Sequence, residues 1–356
     1  MAARSVLSYH PPQAGYSPQE ASVAIVAPQG WRYQCRDGIA ETICGTTDDR
    51  IASTDVRMGR IGGCTGWLIS PDVFIQAGHC GTPTTSTRIH FVFGTGSAIP
   101  EDQYAVDIST YQGVDGGVGN EWAVGRLLPN AITGLLPGVA QSEKCGGAVS
   151  GCGWFTLGSV PSSTTGNNIR ITGYGTAEVD SRSQKTHVGA LTTVASTSVQ
   201  YVPDTTGGNS GAPVVHEETG HAIGVHTHGG CTVNGGSNQG TRIDVPAFQE
   251  AIESLLTFGV CAQDSDCDDG LWCNGAELCN AGKCYYGIPV LCNDGLDCTT
   301  NSCNEATDTC EYQPKTCNAP GESGQCIEPS GQCACSDSTR RIEVDILTDS
   351  YPGETT

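Results

Sequence analysis

Ser210 stands in the run Gly207-Gly208-Asn209-Ser210-Gly211-Ala212-Pro213, which has almost no side-chain bulk. Such a run suits a nucleophile, because glycines let the chain turn tightly and let a substrate carbonyl approach closely. The backbone amides of Gly208 and Ser210 are the donors this loop offers to a developing oxyanion. Alone the pattern is weak: 48 of the 356 residues are glycine, so a bland Gly-Xaa-Ser-Gly turn arises by chance. Its meaning depends on a base, an orienting acid and a scaffold elsewhere in the chain. The candidate base is His79, at the end of Val73-Phe74-Ile75-Gln76-Ala77-Gly78-His79-Cys80. Gly66-Trp67-Leu68-Ile69 precedes it, so two apolar strands meet at a turn and the second ends on a histidine. Cys64 and Cys80 are placed to clamp that hairpin and fix where His79 points. A lone histidine is more often structural. One beside such a cysteine pair, upstream of a glycine-flanked serine, reads as a general base.

The elements that must position these residues are short. Val73-Phe74-Ile75, Ile89-His90-Phe91-Val92-Phe93, Ile169-Arg170-Ile171-Thr172 and Ala222-Ile223-Gly224-Val225 recur between Gly, Pro, Asn and Ser clusters over residues 43–258. Many short strands with frequent turn signals predict an all-β sandwich or barrel. The exception is 246–256, where apolar residues recur at helical spacing after Pro246, with Asp244 as a candidate cap. A single C-terminal helix is therefore expected. Residues 1–42, with Pro11, Pro12, Pro18 and Pro28, read as an extension or propeptide. Residues 43–260 read as the main domain, 261–335 as a cysteine-rich module, and 336–356 as a polar, disordered tail.

Twenty cysteines, seven between Cys35 and Cys231 and thirteen between Cys261 and Cys335, imply a disulfide framework and an oxidising compartment. No pair of Cys-Xaa-Xaa-Cys knuckles suggests zinc instead. A net charge of −21 argues against nucleic acid and anionic membrane as partners. No apolar run approaches a membrane span. The first residues lack the apolar core of a signal peptide, which conflicts with the cysteines; an extracellular or cell-envelope protein without its leader reconciles the two.

The stretch around His79 resembles the histidine motif of chymotrypsin-like serine proteases. More narrowly, Thr46-Thr47-Asp48-Asp49-Arg50, Cys64-Thr65-Gly66-Trp67 and Tyr201…Asp204-Thr205…Gly208-Asn209-Ser210-Gly211 resemble the glutamyl endopeptidase branch over residues 42–258. The resemblance implies two six-stranded antiparallel β-barrels with a C-terminal helix, followed here by the small disulfide-rich module. It implies Ser210 as nucleophile, His79 as base, and the amides of Gly208 and Ser210 as oxyanion hole. The family's acid aligns with Glu121 in Gly119-Asn120-Glu121-Trp122-Ala123, a departure from its usual Asp. Asp115 and Asp107 are the rival acids. Thr205 and His226 match the family's contacts to a substrate carboxylate, although His226 and His228 also read as lining a polar strand. The family's freed N-terminus falls near Thr42-Ile43, directly after Glu41, which invites self-processing.

Only Cys64–Cys80 is supported by this resemblance. From proximity alone, Cys35–Cys44, Cys145–Cys152 and Cys231–Cys261 complete one scheme, leaving twelve cysteines for the module. The module looks like cysteine-rich repeats appended to secreted bacterial proteins. Its acidic turns carry the oxygens Ca²⁺ prefers but lack EF-hand spacing, and read as solvated acid. The expectation is a secreted serine endopeptidase acting on protein or peptide substrates, with Glu or Asp before the scissile bond, and no cofactor or metal. The alternatives are a catalytically inactive homologue, or a surface or adhesion protein acting through its module.

Overall fold

Strand residues in this chain serve two cores at once, because two barrels pack against each other. In the computed structural model, Phe74 points into one barrel while its neighbours Val73 and Ile75 join Trp67, Trp122, Phe155 and Val225 in the layer between barrels. Val73-Phe74-Ile75-Gln76 is therefore buried throughout, with no polar alternation. The structure describes residues 43–145, 152–296, 298–317, 322–327 and 332–335. The expected extension 1–42, including Cys35, and the tail 336–356 lie outside them.

The strands are β1 (Ile51–Ala52), β2 (Met58–Ile61), β3 (Cys64–Leu68), β4 (Val73–Gln76), β5 (Arg88–His90), β6 (Gln103–Asp115) and β7 (Glu121–Leu127). After helix α1 (Pro137–Lys144) come β8 (Asn168–Gly173), β9 (Lys185–Val194), β10 (Ser198–Tyr201), β11 (Pro213–His216), β12 (Ala222–His228) and β13 (Asn238–Arg242), then helix α2 (Pro246–Leu256). The first barrel closes in the order β2-β3-β4-β7-β6-β5. The second runs β9-β10-β13-β12-β11-β8, with β8 pairing back onto β9 and β1 added at the side. Every pairing between these barrel strands is antiparallel. The two six-stranded barrels expected from the sequence are present.

Helix α2 begins at Pro246 as expected, and buries Phe248, Ala251, Ile252 and Leu255 at helical spacing. Phe248 stacks on Trp122 with ring centroids 5.0 Å apart, joining the helix to the first barrel. Asp244 is not its cap: the cap position is Val245, and Asp244 pairs with Arg242. A second helix, α1, was not anticipated. It carries Gly138 because the chain crosses Pro71 so closely that a Cβ there would fall 2.7 Å from the Pro71 Cα. The residue that permits the packing also lowers helix propensity.

The cysteine scheme is right in two places and wrong in two. Cys64–Cys80 and Cys145–Cys152 form. Cys44 pairs with Cys231, not Cys35, and Cys261 pairs with Cys279, not Cys231. The segment 43–50 lies along the second barrel, where Gly45 N–H donates to the Thr232 carbonyl. That brings together cysteines 187 positions apart. Beyond α2, β14 (Thr257–Val260) pairs with β16 (Lys283–Tyr285), which also pairs with β15 (Leu278–Asn280). Hairpins β17 (Thr299–Asn304) with β18 (Thr309–Pro314), and β19 (Glu322–Ile327) with β20 (Gln332–Cys335), follow. Interlocked disulfides 267–284, 273–303, 292–310 and 298–326 staple these small sheets. Among the described residues no helix is long and apolar enough to cross a membrane.

Candidate active site

The register of β4 against β7 places an acid beside the candidate base. Gln76 faces Ala123 and Ile75 faces Val124, so continuing the antiparallel register sets Glu121 opposite Gly78. Residues Gly78–Cys80 form a single 3₁₀ turn. Gly78 is required there: a Cβ would fall 2.0 Å from the Val114 carbonyl oxygen. Glu121 Oε1 accepts from the His79 backbone N–H at 3.3 Å and makes a short contact with His79 Nδ1. The His79 side chain remains 26% exposed while that of Glu121 is 1% exposed. Of the rival acids, Asp107 accepts from the Ser109 amide and hydroxyl, and Asp115, the cross-strand partner of Glu121, is exposed.

The Ser210 loop is wedged between the barrels. The Ser210 carbonyl accepts from Thr65 N–H on β3 at 2.9 Å, and Gly211 N–H donates to the His226 carbonyl on β12 at 2.7 Å. The Cys80 sulfur lies 3.9 Å from the Ser210 carbonyl oxygen, which brings the serine loop against the turn carrying His79. Gly211 and Gly208 have φ of 88° and 109°, the left-handed region where a side chain is strained. A Cβ at Gly211 would also meet the Thr65 oxygen at 2.3 Å and the Ala77 nitrogen at 2.8 Å. The Gly208 carbonyl accepts from the Thr65 hydroxyl at 2.8 Å.

Thr205 and His226 are both fully buried beside this loop, and each presents a polar atom with no hydrogen-bond partner: Thr205 Oγ1 and His226 Nε2. His226 Nδ1 meets the Tyr201 hydroxyl at 2.7 Å. With that hydroxyl donating, the imidazole proton sits on Nε2, a donor that makes no well-formed hydrogen bond although the Gln239 backbone lies near the ring. Burial, chiefly, lowers the His226 pKa to about 3, so the ring is neutral at ordinary pH. In the unfolded chain it protonates near pH 6.5. The unfolded state therefore binds the extra proton over about pH 6.5 to 3, and stability falls as pH falls through that window. Replacing His226 by Gln should flatten this dependence. Between pH 7 and 5 the parent should lose about 2 kcal/mol more than the variant, read from urea midpoints.

Three residues of the site carried no role in the sequence. Arg50, whose side chain is 1% exposed, donates to Asn209 Oδ1 at 3.0 Å and to the Thr206 hydroxyl at 2.7 Å, and is paired with Asp48. Asp204, fully buried, accepts from the amides of Cys44 at 2.7 Å and Asp49 at 2.9 Å. The segment 43–50 thus holds the loop at both ends. Its signal was the Thr46–Arg50 motif, legible as a likeness but silent about contacts. Replacing Arg50 by Gln should cost about 1–3 kcal/mol in a urea titration, because the Asn209 and Thr206 oxygens lose a buried charged donor. His228 is the third: its Nδ1 is 3.5 Å from Glu121 Oε2, a buried oxygen without a hydrogen bond. The carboxylate therefore stands between two imidazoles.

Two β-barrels, with a histidine–carboxylate contact and a glycine-rich serine loop at their junction, define the class. The Trypsin family model matches residues 43–252, and the chain belongs to that family. It is also similar to the glutamyl endopeptidase of Bacillus licheniformis, at 32% identity over 202 residues, or 53% of this chain and 58% of that one. It thus spans less than two thirds of that relative's length. A solved structure of a Glu endopeptidase in complex with MPD shares 20% identity, covering 60% of this chain and 99% of its own, with a TM-score of 0.46. A likeness at that level adds nothing to the family assignment.

Proposed function

We propose that this protein is a secreted serine endopeptidase that cleaves after Glu, and less readily after Asp, by acyl transfer through Ser210. His79 is the general base and then the general acid, and Glu121 holds its Nδ1–H and stabilises the imidazolium. The amides of Gly208 and Ser210 receive the oxyanion of the tetrahedral intermediate. Transfer of the Ser210 proton to His79 Nε2 accompanies attack on the carbonyl carbon. The same proton passes to the leaving amine, and water then repeats the sequence on the ester. The observation that carries the reading is the contact between buried Glu121 and partly exposed His79, on a turn clamped by Cys64–Cys80 against the Ser210 loop.

Preference for an acidic side chain is supported by the two buried polar atoms without partners, Thr205 Oγ1 and His226 Nε2. An orphaned buried donor costs about 1–3 kcal/mol, which a carboxylate acceptor recovers on binding. Asp204 offers no competing negative pocket for Lys or Arg, since its oxygens already accept two amides. The disulfides of the described residues suit a protein working outside a reducing cytosol. Cleavage between Glu41 and Ile43 would leave the 43–50 segment held by Cys44–Cys231. The test is a peptide panel differing only in the residue before the scissile bond: Glu, Asp, Arg, Phe and Ala. Cleavage after Glu should dominate and vanish with Ser210→Ala. Cleavage after Arg or Phe in preference to Glu would reject the assignment of Thr205 and His226.

A further inference from the structure

The cysteine-rich segment contains a carboxylate whose burial nothing nearby explains. Glu277, between Cys273 and Cys279, is only 6% exposed, and its Oε1 is buried with no hydrogen-bond partner. Carboxylate oxygens of Asp268, Asp269 and Glu277 lie within 4.8 Å of one another. None of these three acids makes an ion pair with a described residue. Asn274 donates through Nδ2 to Asp269 Oδ2 at 2.7 Å, while its own Oδ1 is buried without a donor. Two orphaned buried acceptors, one of them a carboxylate oxygen beside two exposed acids, are costly with no compensating cation from the described residues.

We propose that Asp268, Asp269 and Glu277, with the Asn274 carbonyl oxygen, bind a Ca²⁺ ion. The donors are all hard oxygens, the set that selects group 2 ions over zinc or copper. Ca²⁺ takes oxygens at about 2.3–2.6 Å, so ligands on opposite sides of it stand roughly 4.6–5.2 Å apart, matching the cluster's span. Mg²⁺, at about 2.0–2.1 Å, would need a tighter octahedron. Turns hold the carboxylates in place: Asp268 Oδ1 accepts from Gly270 N–H, and Asp269 Oδ1 from Leu271 N–H. Disulfides 261–279, 267–284 and 273–303 brace the loops that carry them. The groove beside the cluster, about 540 Å³ and lined by Asp264, Asp268, Glu277 and Asp308, is open to water, which completes the coordination shell. Three carboxylates in an open site suit the weak binding of extracellular modules, a Kd of about 10⁻⁴–10⁻³ M.

The test uses the full chain carrying Ser210→Ala, which prevents self-digestion, stripped with a chelator. Ca²⁺ is titrated by calorimetry, and Tb³⁺ by luminescence sensitised through Trp272, which lines the same groove. One saturable site is expected, weakened at least about tenfold by Glu277→Gln and by Asp268→Asn, and unchanged by Asp294→Asn. Asp268 is exposed, so its variant decides the matter if loss of Glu277 impairs folding. No binding at millimolar Ca²⁺, binding indifferent to both variants, or equal competition by Mg²⁺ would overturn the proposal.

Discussion

Replacing Glu121 by Gln should lower kcat by about 10⁴ at neutral pH while leaving the fold in place. The carboxylate contacts both the backbone N–H and Nδ1 of His79, so it fixes the ring's orientation and its tautomer. An amide of the same shape can donate to Nδ1 instead of accepting from it. The imidazole proton then moves to Nε2, the nitrogen that must accept from Ser210. The Gln side chain would fill the same space, and a neutral group is cheaper to bury than an ion. Unfolding midpoints should therefore hold steady while turnover collapses. Glu121→Asp tests the reach of the side chain: retracted by roughly one bond length, about 1.5 Å, the carboxylate should lose the His79 contact in part. Turnover between those of Glu and Gln is expected, because a displaced carboxylate still favours the imidazolium. A Gln variant as active as the parent would show that another acid orients His79.

Replacing Ser210 by Ala should have the largest effect, a fall of about 10⁶ in kcat measured on a peptide cleaved after Glu. His79→Ala should cost about as much, and the double variant little more, since the two act as one unit in proton transfer. KM should change little, because neither side chain is assigned to hold the substrate before reaction. The loop itself should survive Ser210→Ala, since Thr65, Asn209 and His226 hold it through backbone atoms and Arg50 through the Asn209 side chain. Additive losses in the double variant would mean that serine and histidine work separately.

Much of this arrangement was legible from residue types. The run of apolar residues ending on Gly78-His79-Cys80 announced β4 and its turn, the family likeness supported Cys64–Cys80, and proximity suggested Cys145–Cys152. Helix α2 was legible because Phe248, Ala251, Ile252 and Leu255 recur on one face. Helix α1 was hidden by Gly138, which serves a close crossing and not local propensity. Cys44–Cys231 was hidden because its partners meet only after the second barrel closes, and nearest-neighbour pairing has no access to such a distance. Arg50 could be matched as part of a motif, yet its hold on Asn209 follows from tertiary approach alone. Glu277 carried no role in the sequence, because burial of a single carboxylate leaves no mark on sequence pattern.

The central claim is that Ser210 is a nucleophile activated by His79 and held by Glu121, and covalent labelling tests it most directly. The purified protein, with its disulfides formed, would be treated with a fluorophosphonate, and the modified residue located by mass spectrometry of the peptides. A single adduct on Ser210 is predicted, absent in Ser210→Ala and strongly slowed in His79→Ala and Glu121→Gln. A folded protein that takes no label at Ser210, or labels equally fast without His79, would contradict the account.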